Sequence, residues 1–529
     1  MNLKSLYPSR PIAIGSKFSI ASPHYLSSTM GMSRMLKTGN MKEASLSCLL
    51  SLQENLPHLC GFGGDCLISI VDGCNDKLIT VNGTGSTGSK QTLEYYRTRY
   101  ESVPLRGFDS LMIYGTPSAL DFIVRKYKLN IEGILSDLEK DFNKNLIITP
   151  KINYFVSKFK NDIENSKHMD NWRILLDDNL VNSKNKSDFN IYDIIKNEGF
   201  RSFYSGQIMD RLTKYLYKNK NYLFSERDFI EFREKDGEYH EFYFNKSKLR
   251  VHSGNCPWVE LVLYLKTIEY LGIEQFENEN SIFLLCKAYE AVVEYIKVSG
   301  IEEYRFNSAK FDTNILNYSM LEVVKIIKKS KAIISQDISN TIVMTASNAD
   351  GDLIGITNSI FTPFGSCIDP DNLGFFMSNR ARGFSLDYKD NNVIGPNKKV
   401  LHTINVINIT KENGTSLILG TTGGYSQIQT LAQILIKILH QNIDPQTAID
   451  SPRFFYGNVS SKKTNENILF VEENLKQLQN TKNEFNIQIK VLGKYSSRMG
   501  VTQMSGYISN TKKVFSCTDP RGDGISLAI

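Results

Sequence analysis

Thr341 heads a run of β-branched and small residues, Thr341-Ile-Val-Met-Thr-Ala-Ser347, and Asn340 stands just before it. A threonine hydroxyl is a poor nucleophile at its free pKa and needs a base beside it. A threonine whose own α-amine is free carries that base with it, because such an amine titrates near ~8, where proton transfer is effective close to neutral pH. Further on, Gly423-Gly424 can turn two backbone N–H groups toward one oxygen without Cβ obstruction. Donors of that kind are worth about 3–4 kcal/mol each when charge develops on a carbonyl oxygen. Ser359 adds a hydroxyl that both donates and accepts. Taken one at a time these residues are unremarked: threonine favours strands for steric reasons, and a glycine pair is usually a turn.

The chain around them is ordinary in bulk. It has 529 residues, 41% hydrophobic and 22% charged, with a net charge of +6 from 62 basic and 56 acidic residues. That near balance gives no basic field for a nucleic acid. The first fifteen residues, MNLKSLYPSRPIAIG, lack the apolar core of a secretion signal. No apolar run reaches the ~18 residues of a membrane span, so a cytoplasmic protein with no membrane partner is expected. Eight cysteines lie scattered without CxxC spacing, four of them between Cys48 and Cys74. They read as free thiols, with one bridge in that group as the alternative. There is no HExxH, no Cys/His cluster and no P-loop, so no metal and no cofactor is expected.

The elements that must position the reactive types can be read in outline. A strand and then a helix occupy residues 16–60, with the helix over Ser28 to Leu52. Leu67–Val71, the Asp72-Gly73 turn and Leu78–Val81 form a hairpin. From 115 to 335 helical periodicity dominates, clearest in Ala119–Tyr127, Ile191–Lys196, Gln207–Tyr217, Trp258–Tyr270, Ile282–Val298 and Ser319–Lys328, while Asn182–Lys186 reads as loop. After 340 the pattern turns to strands: Thr341–Ser347 and Leu353–Ile360 around Asp350-Gly351, then Gly374–Ser378, Thr403–Ile409 and Ser416–Gly420. A helix follows at Ser426–His440, with last strands near 469–472, 488–492 and 513–517. Helices before and strands after suggest an α+β layered fold.

Seven separated segments, in order, resemble the γ-glutamyltranspeptidase family of N-terminal-nucleophile hydrolases. They are Ala21–Ser27 with Gly31 to Ala44; Gly61-Phe-Gly-Gly-Asp65; Glu198-Gly-Phe-Arg-Ser-Phe-Tyr-Ser-Gly206; Thr341 through Gly351, Phe364–Ser366 and Asn379–Asp387; Gly423-Gly424; Asp444–Arg453; and Asp519–Gly524. The resemblance implies a four-layer αββα sandwich, α+β in class. It implies self-cleavage between Asn340 and Thr341, giving a large subunit, 1–340, and a small one, 341–529, that form one composite domain. Thr341 would then be the nucleophile, Ser359 its hydroxyl partner, and Gly423 and Gly424 the oxyanion pair. The activity implied is γ-glutamyltransferase or γ-glutamyl hydrolase chemistry through an acyl-threonine, with water or an amine as acceptor. The cleaved subunit is the implied partner in a heterodimer, and a dimer of heterodimers is the further assembly. The alternative is an unprocessed, catalytically silent relative that acts as a binding protein.

The resemblance fails at the part that grips a glutamyl group. An Arg that binds the α-carboxylate is absent from Val81–Thr87. The family's amide and acidic clamp aligns with Ser378–Gly383, so its Gln position is Arg380 and its Asp position Gly383. A Ser-Ser pair becomes His402-Thr403 and a strand Asn becomes Phe361. The pattern resembles the branch with cephalosporin-acylase-like members, which remove dicarboxylic or other acyl groups. Asn379, Arg380, His402 and Thr403 are therefore expected at the substrate, with Arg380 and Arg382 offering a carboxylate grip.

Overall fold

The computed structural model describes residues 9–141, 145–176, 181–183, 190–275, 279–305, 313–334, 341–458, 466–481 and 483–529. Asn340, and residues 184–186 of the expected loop, lie outside them; Val181–Ser183 is a short strand paired with Asn145–Ile147.

Fourteen strands build two antiparallel sheets. In chain order they are β1 (Ala13–Gly15), β2 (Phe18–Ser22), β3 (Asp65–Asp72), β4 (Lys77–Gly83), β5 (Lys235–Gly237), β6 (Tyr239–Phe244), β7 (Ser247–His252), β8 (Ile342–Asn348), β9 (Leu353–Ser359), β10 (Ile407–Thr410), β11 (Thr415–Thr421), β12 (Thr502–Ile508), β13 (Lys513–Thr518) and β14 (Ile525–Ala528). One sheet runs β1-β13-β12-β11-β10-β7-β6 and the other β14-β2-β8-β9-β3-β4-β5. Both therefore mix strands from before and after residue 340.

Helices cover the outer faces. α1 (Tyr25–Thr38), α2 (Met41–Asn55) and α3 (Thr116–Tyr127) pack on the sheet that holds β8; α4 (Trp258–Tyr270), α5 (Glu279–Ser299), α6 (Thr313–Ile326) and α7 (Gln427–Leu439) form the layer over the other. This is the αββα order expected. Two apolar cores result, one beneath each helical layer.

Between the sheets the filling is partly polar. Ser19 and Ser347 Oγ atoms are 2.7 Å apart, Ser516 Oγ donates to Ser19 Oγ at 2.8 Å, and Ser505 Oγ donates to Thr345 Oγ1 at 2.9 Å. Small hydroxyls let the sheets approach closely, and these serines and Thr345 satisfy one another there.

Several expected elements differ. The single helix over 28–52 is two, because Gly39 takes φ +67 and closes α1, and the Asn40 side chain accepts the Lys42 and Glu43 N–H groups to start α2. The stretch read as helical to 335 contains the hairpin β6–β7, turned at Asn245 and Lys246 with positive φ. Gly374–Ser378 is no strand, although Phe375 to Ser378 are buried; it is held by the Met377 N–H on Ile368 O and the Ser366 N–H on Met377 O. Only Ile407–Thr410 of the expected 403–409 strand joins a sheet. All eight cysteines are free, and only Cys74 is exposed.

Asn40→Ala removes an N-cap that satisfies two amides. It should destabilise the chain by about 1 kcal/mol, read as a lower urea midpoint.

Candidate active site

Three neighbouring strands end together. Ile342 of β8 pairs with Asn358 of β9, and Ser359 pairs with Asp65 of β3. Thr341, one residue before β8, thus lies beside Ser359 and next along from Asp65. Thr341 is 3% exposed, and its Oγ1 donates to Ser359 Oγ at 3.3 Å.

Ser359 is held in turn. Its Oγ accepts from Arg380 Nη2 at 3.1 Å and from the Phe361 N–H at 3.1 Å. Phe361 sits at φ +75, uncommon for a bulky residue, and the Arg380 guanidinium lies 4.4 Å from its ring centre. Arg380 Nε donates to Asp65 Oδ2 at 3.0 Å, and the Gly85 N–H donates to Asp65 Oδ1 at 2.7 Å. His402 Nε2 faces Asp65 Oδ2 at 3.1 Å, although neither ring nitrogen completes a well-aligned hydrogen bond among the described residues.

Burial opposes charge on Asp65, but His402, Arg380 and the Gly85 N–H outweigh it and hold the carboxyl below the usual carboxylate range. Burial, reinforced by Arg380, pushes His402 down to about 4. At neutral pH the cluster is therefore an Asp65–Arg380 ion pair beside a neutral imidazole.

Gly423 and Gly424 follow β11 and take φ +113 and +59. A Cβ on Gly420 would come within 3.0 Å of Val343 Cγ1, so the end of β11 lies over the beginning of β8. A Cβ on Gly423 would meet Ser426 Oγ at 2.6 Å, so the turn tolerates no side chain there. Behind it, Arg453 Nη1 donates to Met499 O and Gly500 O at 3.2 and 3.0 Å, and Arg453 pairs with Asp519 at 2.7 Å. The motifs around Arg453 and Asp519 thus brace the segment packed on the glycine turn.

The remaining expected residues divide. Asn379 is fully buried; its Nδ2 donates to Leu105 O and Thr362 Oγ1 at 2.8 and 2.7 Å, so its amide holds a loop. Arg382 Nη1 donates to Val103 O at 2.9 Å. Arg380 is drawn into the Asp65–Ser359 cluster. His402 and Thr403 line a cavity of about 530 Å³ that Gly424 also lines. Asp65 is the residue whose role the sequence left unassigned. Its signal was an acid at a strand start together with an arginine in place of an expected Gln. No group of three or more potential metal ligands occurs among the described residues.

The chain matches the gamma-glutamyltranspeptidase family model over residues 27–529. It belongs to that family. It is 24% identical to the glutathione hydrolase-like YwrD proenzyme of Bacillus subtilis over 98% of this chain and 99% of that one. It is 26% identical to the oxamate amidohydrolase proenzyme of Klebsiella pneumoniae over 35% of each. The cephalosporin acylase of Bacillus halodurans has the same fold, with a TM-score of 0.83, 19% identity and coverage of 99% and 98%. The chain is thus an amidohydrolase or acyltransferase of the N-terminal-nucleophile type.

Arg380→Met should destabilise the protein by about 3–5 kcal/mol, because it strands the buried Asp65 carboxylate; adding Asp65→Asn should restore part of the loss in urea denaturation. A pH effect follows from the buried histidines. Burial pushes His24, His252 and His402 to about 4 and His58 to about 3. Unfolded, each protonates near ~6.5. The unfolded chain therefore binds more protons in that window, and stability should fall as pH drops from about 6.5 toward 4. Urea midpoints across that range check it, and His402→Gln should flatten part of the slope.

Proposed function

We propose that the chain cuts itself at Asn340–Thr341 and then hydrolyses or transfers acyl groups from γ-glutamyl or related acyl amides through Thr341. Thr341 Oγ1 attacks the Asn340 carbonyl carbon; the C–N bond breaks, and its nitrogen takes up a proton as the new α-amine. Water then cleaves the ester, leaving a carboxyl on Asn340 and a free hydroxyl on Thr341. In turnover the α-amine takes the hydroxyl proton and delivers it to the leaving amine, while an acyl-Thr341 ester forms. Water or an amine resolves that ester. The two pieces, 1–340 and 341–529, remain together as a heterodimer.

The observation that carries this reading is the Thr341–Ser359–Arg380 hydrogen-bond line at the strand ends. It orients the buried Thr341 hydroxyl toward a fixed acceptor, Ser359 Oγ, and leaves its deprotonation to a nearby base. Gly423 and Gly424, in the turn that follows β11, supply the oxyanion amides. His402 and Thr403 line the acyl pocket, and Asn379 shapes the loop beside it. The γ-glutamyl part of the reading rests on the family and its glutathione hydrolase-like relative. The rebuilt clamp, together with relatives named for oxamate and cephalosporin, favours an altered acyl group.

Purified protein should run as two pieces whose smaller one begins at Thr341. Thr341→Ala should stay a single 60.1 kDa chain. A wild-type chain that never splits, or a variant that still does, overturns the assignment. Ser359→Ala should slow anilide turnover by on the order of 10²-fold, with the urea midpoint little changed.

A further inference from the structure

The cavity that His402, Thr403 and Gly424 line has a distinctive far end. Glu260 and Glu302 flank Arg305 there: Arg305 pairs with Glu260 through Nη2, and its Nη1 lies 3.7 Å from Glu302 Oε1. Asp390 adds a third carboxylate to the wall. The buried guanidinium is thus shared by Glu260 and Glu302, while Asp390 acts on Glu302. Burial and the nearby Asp390 push the Glu302 carboxyl above the usual range, against the opposing pull of Lys297. The cavity's lysines, Lys297 and Lys389, are exposed.

Two residues that line this space carry a buried acceptor atom with no protein donor among the described residues. Glu260 Oε2 has no hydrogen-bond partner among the described residues. His402, 2% exposed, is the second. Its Nε2 lies 3.1 Å from the Asp65 carboxylate without a well-aligned hydrogen bond, and that negative charge favours the ring proton on Nε2. Nδ1 is left as a lone pair with no partner among the described residues. Neutral imidazole and carboxylates alike accept hydrogen bonds. Val293, Ile296 and Ile428 give the walls between them an apolar face.

We infer that this cavity receives an acyl chain whose far end carries a protonated amine, and that it refuses an acyl chain ending in a carboxylate alone. The inference rests on the acyl-Thr341 reading and narrows its substrate. The apolar wall takes the methylenes; Glu302, Asp390 and Glu260 take the ammonium. A γ-glutamyl group, which has an ammonium at that end, is compatible; a glutaryl group is not.

The test compares 5-aminopentanoyl, γ-glutamyl, glutaryl and pentanoyl p-nitroanilides with the purified wild-type protein. The 5-aminopentanoyl compound should exceed glutaryl at least tenfold in kcat/KM. Glu302→Gln and Asp390→Asn should each shrink that ratio, chiefly through KM, with pentanoyl reporting any general damage. Equal or better use of glutaryl, or a ratio unmoved in both variants, overturns the inference. If no anilide is cleaved, the reaction reading fails on its own and calorimetry decides the pocket. Binding of 5-aminopentanamide that weakens in Glu302→Gln upholds the inference; preference for glutaramate, or no binding of either, overturns it.

Discussion

Asp65 is a charge in a place where charge is costly, and the site is built around meeting that cost. A lone carboxylate this deeply buried would protonate rather than stay ionised. Here the Arg380 guanidinium, the His402 ring and the Gly85 amide converge on its two oxygens. Those partners come from widely separated stretches of chain, so the carboxylate fixes four backbone segments relative to one another. Arg380, once held by Asp65, has a second arm aimed at Ser359, and Ser359 meets Thr341. The position of the Thr341 hydroxyl is thus inherited from an ion pair two residues removed.

The same arrangement explains why the expected carboxylate grip looks different in three dimensions. An arginine can hold a substrate carboxylate through its fork, but this one already spends its Nε on Asp65 and stacks on Phe361. Arg380 and Phe361, both unlike the residues that the family resemblance leads one to expect, lie against each other. On the far side of His402 lies the cavity that Thr403 and Gly424 also line.

The strongest sequence signals were those with a local cause. The β8–β9 hairpin announced itself by β-branched runs around Asp350-Gly351, and α7 by its spacing of apolar residues. The β6–β7 hairpin was hidden because its turn uses Asn245-Lys246 rather than a glycine, and because it sits within a helical stretch. Strands such as β2 and β9, buried on both faces, show no alternation to read. Gly374–Ser378 was misread since buried aromatics mimic a core strand. Within the site, Thr341, Ser359 and the glycine pair were legible only through the family likeness, and their geometry is local to strand ends. Asp65 was not, since its meaning depends on Arg380, 315 residues away.

The interleaving of the sheets has a bearing on the life of a cut chain. β8 lies between β2 and β9, and β10 between β7 and β11. A break ahead of Thr341 would leave two polypeptides zipped together along both sheets, with no seam along which to part. Dilution would not separate them, and neither half would keep a core of its own. Thr341 meets Ser359 within one half, but the Arg380 that holds Ser359 is itself fixed by Asp65 of the other half, so a scission that needs the whole cluster would mark only molecules whose two halves have paired. Each cut molecule would carry a permanent record that its assembly was completed.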